Sequence, residues 1–305
     1  MKRDFLALWD FSSEEIAVLL KRAIELKSGK DANKCPLIGK SIGLLFEKAS
    51  TRTRVSFEVG IYQLGAQAIY MNPKEIQIGR GETISDTARV LSRYLNAIVI
   101  RSYGHNILEE FASNSSIPVI NGLSDLHHPC QALGDLMTIL EKKGRLKGIR
   151  LAYIGDGNNV ANSLIEAASR MEMDMAIACP EGCEPDLDLL ERARSEAVSE
   201  ILILRDPREA AGMADVVYTD VWVSMGQEKE SEDKKRKLKD YQVNSMLLSC
   251  AKKDAIVLHC LPAHRGEEIT DEVIDGQQSA VLDQAENRLH TQKALLEFLL
   301  GNNTR

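Results

Sequence analysis

No apolar run in the chain approaches the roughly 20 residues that a bilayer-spanning helix needs, so no membrane association is expected. A secretory leader is not expected either. Behind Met1-Lys2-Arg3-Asp4-Phe5 the charged residues Asp10, Glu14 and Glu15 follow at once, and the location read from this is cytoplasmic. Basic charge is in deficit: 38 Lys and Arg against 45 Asp and Glu give a net charge of −7. That balance argues against a nucleic-acid binder while leaving room for a local basic pocket around a small anion. The six cysteines, Cys35, Cys130, Cys179, Cys183, Cys250 and Cys260, have no Cys-x-x-Cys spacing and read as free thiols. Cys179 and Cys183 are the only close pair, and two further ligands at a usual zinc spacing are missing, so no metal is expected. No internal repeat of solenoid period is present.

What is present is an alternation of strand-like and helix-like segments through 305 residues, long enough for two domains. Such alternation predicts an α/β protein: two doubly wound parallel-sheet domains joined by helices. Ser12-Ser13-Glu14-Glu15 reads as a capping box opening a first helix that runs to about Ser28. Strands are expected at Ser41–Leu45, Ala66–Met71, Ala97–Ile100 and Ile117–Ile120, then a long helix from about His128 to Lys143. A second series begins at Ile149, with strands near 175–178, 200–204, 216–218 and 256–259, and a terminal helix spans Ala285–Leu300. The domain boundary is placed near residue 146. The Glu, Lys and Asp-rich stretch Glu228–Lys239 reads as a solvated loop or helix face.

Several motifs sit at strand ends. Ser50-Thr51-Arg52-Thr53-Arg54 follows an apolar strand and opens a helix bearing Val55, Phe57, Val59, Ile61 and Leu64. Unpaired N–H groups, hydroxyls and forked guanidinium charges there suit phosphate oxygens. Gly39-Lys40-Ser41 imitates the end of a Walker motif, but Lys34 stands where the first glycine belongs and the segment enters a strand. Gly155-Asp156-Gly157-Asn158-Asn159-Val160 resembles a dinucleotide turn, with Glu181 after the next strand, although Val160 occupies the third glycine position. His127-His128-Pro129-Cys130-Gln131 suits a helix start, and its His and Gln could hold a small polar substrate. Asp220-Val221-Trp222-Val223-Ser224-Met225-Gly226 and His259-Cys260-Leu261-Pro262 both follow strands, where open α/β sheets bind ligands. Cys260 by itself reads as a nucleophile, a poised thiolate or a buried strand end.

Taken in order over essentially the whole chain, Ser-Thr-Arg-Thr-Arg, His-Pro-Cys-Gln, Asp-x-x-x-Ser-Met-Gly and His-Cys-Leu-Pro resemble the ornithine carbamoyltransferases. Gly-Asp-Gly-Asn-Asn and Ala-Glu-Asn-Arg near the C-terminus extend the resemblance. It implies a carbamoyl-phosphate domain over residues 1–146, an ornithine domain over 147–284, and a helix at 285–305 packing back on the first domain. It implies that Ser50, Thr51, Arg52, Thr53, Arg101, His128, Gln131, Cys260, Leu261 and Arg288 bind carbamoyl phosphate. Gln77 would join them from a neighbouring subunit. Asn159, Asp220, Ser224 and Met225 are the implied ornithine set. Arg101, His128, Asp220 and Cys260 are the implied catalytic residues. No cofactor is implied; the assembly implied is a homotrimer or a multiple of trimers, and the default pathway is arginine biosynthesis.

The chemistry of these residue types fits the implied reaction. Arg52 and Arg101 can stabilise a leaving phosphate, while Thr53, Arg101 and His128 can polarise the carbonyl. The attacking amine has an ordinary pKa near ~10, so Asp220 and Cys260 would position it and favour its deprotonation. The Ser224-Met225-Gly226 loop would close over bound ornithine and exclude water. Aspartate carbamoyltransferases share the phosphate loop but would show His-Pro-Leu-Pro-Arg in place of His259-Cys260-Leu261-Pro262. Putrescine and N-acetylornithine carbamoyltransferases are closer rivals. An NAD-dependent oxidoreductase would rest on the Gly155–Val160 turn alone, and an anion-binding regulator on Ser50–Arg54 alone.

Overall fold

In the computed structural model the described residues are 2–31, 34–73, 81–223 and 231–301. Gln77, Ser224 and Met225 therefore lie outside the described residues, as does Gly226. The elements of the first half are α1 (Ser13–Lys27), β1 (Ser41–Phe46), α2 (Thr51–Gln63), β2 (Gln67–Met71), α3 (Ile84–Leu91), β3 (Ala97–Arg101), α4 (His105–Asn114), β4 (Val119–Leu123) and α5 (Pro129–Lys143). Then come β5 (Arg150–Ile154), α6 (Asn159–Arg170), β6 (Asp174–Ala178), α7 (Leu187–Glu196), β7 (Ile201–Leu204), α8 (Pro207–Ala211), β8 (Val216–Thr219) and α9 (Ser231–Leu238). The chain ends with α10 (Ser245–Leu248), β9 (Ile256–His259), α11 (Asp271–Ile274) and α12 (Val281–Leu300). By compactness there are two units, Met1–Gly134 with Glu286–Arg305, and Asp135–Ala285. Both limits fall inside helices, α5 and α12.

The first unit holds a four-stranded parallel sheet in the order β2-β1-β3-β4. All five residues of β3 are buried, because a parallel sheet is covered on both faces, whereas edge strand β2 has no fully buried position. Ile98 and Ile100 pack in one cluster with Leu108 and Phe111 of α4. The α1 capping box forms as predicted: Ser12 accepts from the Glu15 N–H and the Glu15 side chain accepts from the Ser12 N–H. In α2 the inward stripe is Phe57, Gly60, Ile61 and Leu64, at helical spacing. Val55 and Val59, read from the sequence as part of one apolar pattern, are exposed on another face together with Tyr62.

The second unit holds a five-stranded parallel sheet in the order β7-β6-β5-β8-β9. Its core includes Ala152, Ile154, Val217, Val257 and Trp222. Four residues earlier than the predicted start at Ala285, α12 begins at Val281, a buried residue that anchors its first turn. The charged stretch is only partly a solvated face. In α9, Leu238 is fully buried and Lys234 pairs with Asp156, while Glu232, Asp233 and Arg236 are exposed.

Sheet order fixes where ligands can sit. In each sheet the chain winds outward one way from a central strand and then the other, leaving a switch point between β1 and β3 and another between β5 and β8. At such a point the loops after adjacent strands part, opening a crevice at the carboxyl ends.

Candidate active site

The loop after β1 and the residues ending β3 flank the first switch point. Ser50 is the N-cap of α2, its Oγ accepting from the Thr53 N–H at 3.2 Å, so Thr51–Thr53 form the first helical turn with its positive dipole end. Glu47 ties the two loops together: its Oε2 accepts from Ser102 Oγ at 2.7 Å and from the Tyr103 N–H at 3.1 Å. Arg101 ends β3 and is buried. Arg54, counted from the sequence among the phosphate-suited charges, is engaged elsewhere. Its Nε donates to Glu58 at 2.9 Å and its guanidinium lies 3.6 Å from the Tyr70 ring centre.

His128 precedes the first turn of α5, with its carbonyl accepting from the Gln131 and Ala132 N–H groups. Pro129, whose missing N–H costs nothing at a helix start, takes the first helical position. Arg288 of α12 is buried and joins three helices, donating to Gln131 Oε1 at 2.5 Å and Thr53 Oγ1 at 3.1 Å. Gly134 permits this approach, since a Cβ there would lie 3.0 Å from Arg288 Cδ. Burial holds the His128 imidazole well below its ordinary pKa, and Arg288, Arg101 and Arg52 push it further in the same direction. His128 is thus a neutral ring amid three guanidinium groups. Neutral, it can donate one N–H to a carbonyl oxygen, and the surrounding charge is that of an anion site.

At the second switch point, β5 runs into a turn of close backbone approach. Gly155 has φ 135°, and a Cβ on Gly157 would lie 2.2 Å from the Pro185 nitrogen. Asn158 then caps α6, its Oδ1 accepting from the Val160 and Ala161 N–H groups at 2.9 and 3.3 Å. Its Nδ2 donates to Asp220 Oδ2 at 2.8 Å, while Cys260 Sγ donates to Asp220 Oδ1 at 2.9 Å. Asp220, just past β8, is buried and held from both sides. Asn159, the first residue of α6, is half-buried.

Past β9 the chain turns through Leu261, which has the left-handed φ of 58°. The Leu261 N–H donates to His259 Nδ1 at 2.9 Å, and His259 Nε2 meets Glu268 Oε1 at 3.0 Å. Both ring nitrogens of His259 are therefore engaged. The ligand-type atoms of Asp220, His259 and Cys260 lie within 4.8 Å of one another, but hydrogen bonds within the protein occupy them.

Residues 3–141 match the family description "Aspartate/ornithine carbamoyltransferase, carbamoyl-P binding domain". Residues 147–299 match its "Asp/Orn binding domain". The chain belongs to the aspartate/ornithine carbamoyltransferase family. It is 55% identical to an ornithine carbamoyltransferase of Syntrophus aciditrophicus over 302 residues, covering 98% of this chain and 100% of that one. An ornithine carbamoyltransferase from Pyrococcus furiosus superposes with a TM-score of 0.94 at 50% identity, covering 98% and 97%. The anabolic ornithine carbamoyltransferase of Campylobacter jejuni does so with 0.93 at 41% identity, covering both chains fully, at 100%.

Of the residues assigned to carbamoyl phosphate by carbamoyltransferase resemblance, Ser50, Thr51, Arg52, Thr53, Arg101, His128, Gln131 and Arg288 fall in the first unit. Cys260 and Leu261 fall in the second, with Asn159 and Asp220. Sequence reasoning missed Asn158 as the partner of Asp220, though it stood in the polar turn already singled out. It also missed the His259–Glu268 pair, whose nine-residue separation carries no periodic signal. Lys234 was hidden in a run of like-looking charges.

Proposed function

We propose that this chain is an ornithine carbamoyltransferase, moving the carbamoyl group of carbamoyl phosphate to the δ-amino group of L-ornithine to give L-citrulline and phosphate. The observation that carries the reading is the buried, neutral His128 amid the guanidinium groups of Arg52, Arg101 and Arg288. An acyl phosphate needs that combination: fixed positive charge for the phosphate, and a neutral donor for the carbonyl oxygen. Ser50, Thr51, Arg52 and Thr53 take the phosphate. Arg101 spans phosphate and carbonyl, and Gln131 with Arg288, Cys260 and Leu261 orients the carbamoyl end.

Asp220 and Cys260 act on the amine. The δ-ammonium gives up one proton to solvent on binding, its lone pair attacks the carbonyl carbon as the carbonyl π pair moves onto oxygen, and a zwitterionic tetrahedral intermediate forms. The intermediate collapses with cleavage of the C–O bond to phosphate, which leaves with the electron pair and takes up the surplus proton of the attacking nitrogen. Thr53, Arg101 and His128 stabilise the oxyanion between these steps. Cys260 donates to Asp220 and carries no acyl group. Asn159, Ser224 and Met225 complete the ornithine contacts.

The same reading assigns carbamoyl phosphate to residues 1–146, ornithine to 147–284 and a packing helix to 285–305. It places the protein in the cytoplasm, in arginine biosynthesis, as a homotrimer or multiple of trimers with Gln77 contributed by a neighbouring subunit. Free cysteines fit a reducing compartment. Exposed Val55, Val59 and Tyr62 on one face of α2 fit a subunit contact. The test is citrulline formation from the two substrates, combined with labelled carbamoyl phosphate offered without ornithine. Citrulline with no label retained on protein supports the reading; a carbamoyl thioester isolated on Cys260 refutes the direct attack.

A further inference from the structure

The turn that delivers His128 is held by side chains to which the reaction above gives no role. Ser124 follows β4 directly, and its N–H donates to the His127 carbonyl at 2.9 Å. Its Oγ accepts from the His127 N–H at 3.1 Å. These two bonds close Ser124–His127 into a four-residue turn whose next residue is His128. Two more groups meet the same oxygen, Asn121 Nδ2 of β4 at 3.4 Å and His105 Nδ1 at 3.0 Å. His105 opens α4, a helix fixed by Leu108 and Phe111 in the cluster they share with β3. A second bond ties the same residue to the turn, its N–H donating to Asp125 Oδ1 at 2.8 Å. The His105 side chain is 13% exposed, and its ring meets that of His127 edge-on with centres 4.7 Å apart. Burial and His127 hold the His105 ring below its ordinary pKa, against Glu109, Asp125 and Asp10, so the ring is neutral at about pH 7.5.

We infer that His105 is a positioning residue for the carbamoyl transfer: through Ser124 Oγ its ring anchors the turn that aims His128 to the packed helix α4. The inference rests on the role given to His128 above and deepens it. A side-chain bond from a rigid element fixes a short turn more closely than the turn's own backbone bonds can. Without the ring's bond, Ser124 Oγ still meets Asn121 and His127, but its side-chain link to α4 is gone and His128 moves with the loosened turn. A group that must meet a developing oxyanion tolerates little displacement, about 1 Å costing on the order of a hundredfold in rate. A smaller shift costs about tenfold.

A ring that merely packs on His127 and a ring that bonds Ser124 are separated by two substitutions. His105→Phe keeps the ring and its edge contact but loses the hydrogen bond. His105→Asn loses the ring but sets an amide oxygen or nitrogen where Nδ1 stood, and so meets the Ser124 hydroxyl as acceptor or donor. Full-length wild type and both variants are compared by initial rates, varying each substrate at saturating levels of the other. Positioning predicts that kcat/KM for carbamoyl phosphate falls about tenfold or more in His105→Phe and stays within about threefold of wild type in His105→Asn. The ornithine KM stays within about threefold in both. The reverse order, with His105→Phe close to wild type and His105→Asn impaired, assigns the ring to packing and overturns the inference. So do two equally impaired variants, two unimpaired ones, or an ornithine KM that rises as steeply as the carbamoyl-phosphate term falls. Where His105→Phe does not fold, His105→Ala replaces it: a His105→Asn enzyme about fivefold or more above His105→Ala supports the inference, and a smaller difference overturns it. A wild type that makes no citrulline overturns the reading of His128 itself, an outcome separate from a working wild type whose variants fail the pattern.

Discussion

Asn158 does two jobs with one amide, and replacing it by Ala or Asp separates them. Its Oδ1 caps α6 through Val160 and Ala161, and its Nδ2 donates to the buried Asp220 at 2.8 Å. Asn158→Ala loses the cap, about 1 kcal/mol, and a hydrogen bond to a charged acceptor, about 1.5–3 kcal/mol. Together the loss is about 2.5–4 kcal/mol. Asn158→Asp keeps an oxygen to cap α6 but sets a second carboxylate oxygen about 3 Å from Asp220. Two charges so close repel by about 6 kcal/mol at an effective dielectric of 20, so the pair holds one proton and its pKa is raised. A raised pKa places the sign. The folded variant binds a proton that the unfolded chain releases near ~4, so its stability approaches wild type at acid pH and falls as pH rises. The slope is bounded by about 1.4 kcal/mol per pH unit. Urea midpoints of wild type and both variants between pH 5 and 8.5 are the assay. Asn158→Ala should lie below wild type throughout, and Asn158→Asp should diverge from wild type with increasing pH. Parallel curves for Asn158→Asp and wild type, or an Asn158→Ala curve that coincides with wild type, would refute the reasoning.

Gly157→Ala drives a Cβ to 2.2 Å from the Pro185 backbone nitrogen, which no rotamer relieves, so the variant should lose several degrees in thermal midpoint or fail to accumulate in soluble form. An unchanged midpoint would mean the turn is not as close as described. His128, held well below its ordinary 6.5, stays neutral while the unfolded chain takes up its proton first; the imidazole's contribution is complete above about 6.5 and is lost as pH falls below it. The stability gap between wild type and His128→Gln should therefore narrow from pH 7.5 to 5.5, and a constant gap would count against a buried neutral ring. Burial pushes the Cys130 thiol up to about 12, whereas Cys35 is exposed. In the folded protein at pH 8 an alkylating reagent should label Cys35 early and Cys130 only after denaturant is added, read by peptide mass mapping.

Much of the architecture was legible because its signals are local and periodic. The capping box at Ser12–Glu15, the buried runs of β1 and β3, and the strand–turn–helix at Ser41–Gln63 are each written in adjacent residues. The strand-end motifs were legible too, since a polar cluster after an apolar run marks a carboxyl end. Long-range pairings were not. Glu268 meets His259, Gln284 accepts from the His259 N–H at 2.9 Å, and Glu47 reaches across to Ser102. None of these has a spacing that helix or strand period would reveal. Arg54 was misread for a related reason: its guanidinium looks like that of Arg52 in sequence, but lying two helical positions further on turns it to Glu58 and Tyr70. Lys234 shows the converse, a largely covered ion pair with Asp156 inside a run whose composition reads as solvent-facing.

The most direct test of the account offers the purified protein carbamoyl phosphate with ornithine, putrescine, N-acetylornithine and aspartate, separately and side by side. Product is identified by mass, and phosphate release is corrected for spontaneous decay. The account predicts citrulline from ornithine, with the other three acceptors giving no more than the acceptor-free control. Turnover with one of those three in place of ornithine would contradict the role given to Asp220 and Cys260, and no turnover with any would contradict the role given to His128 and its three arginines.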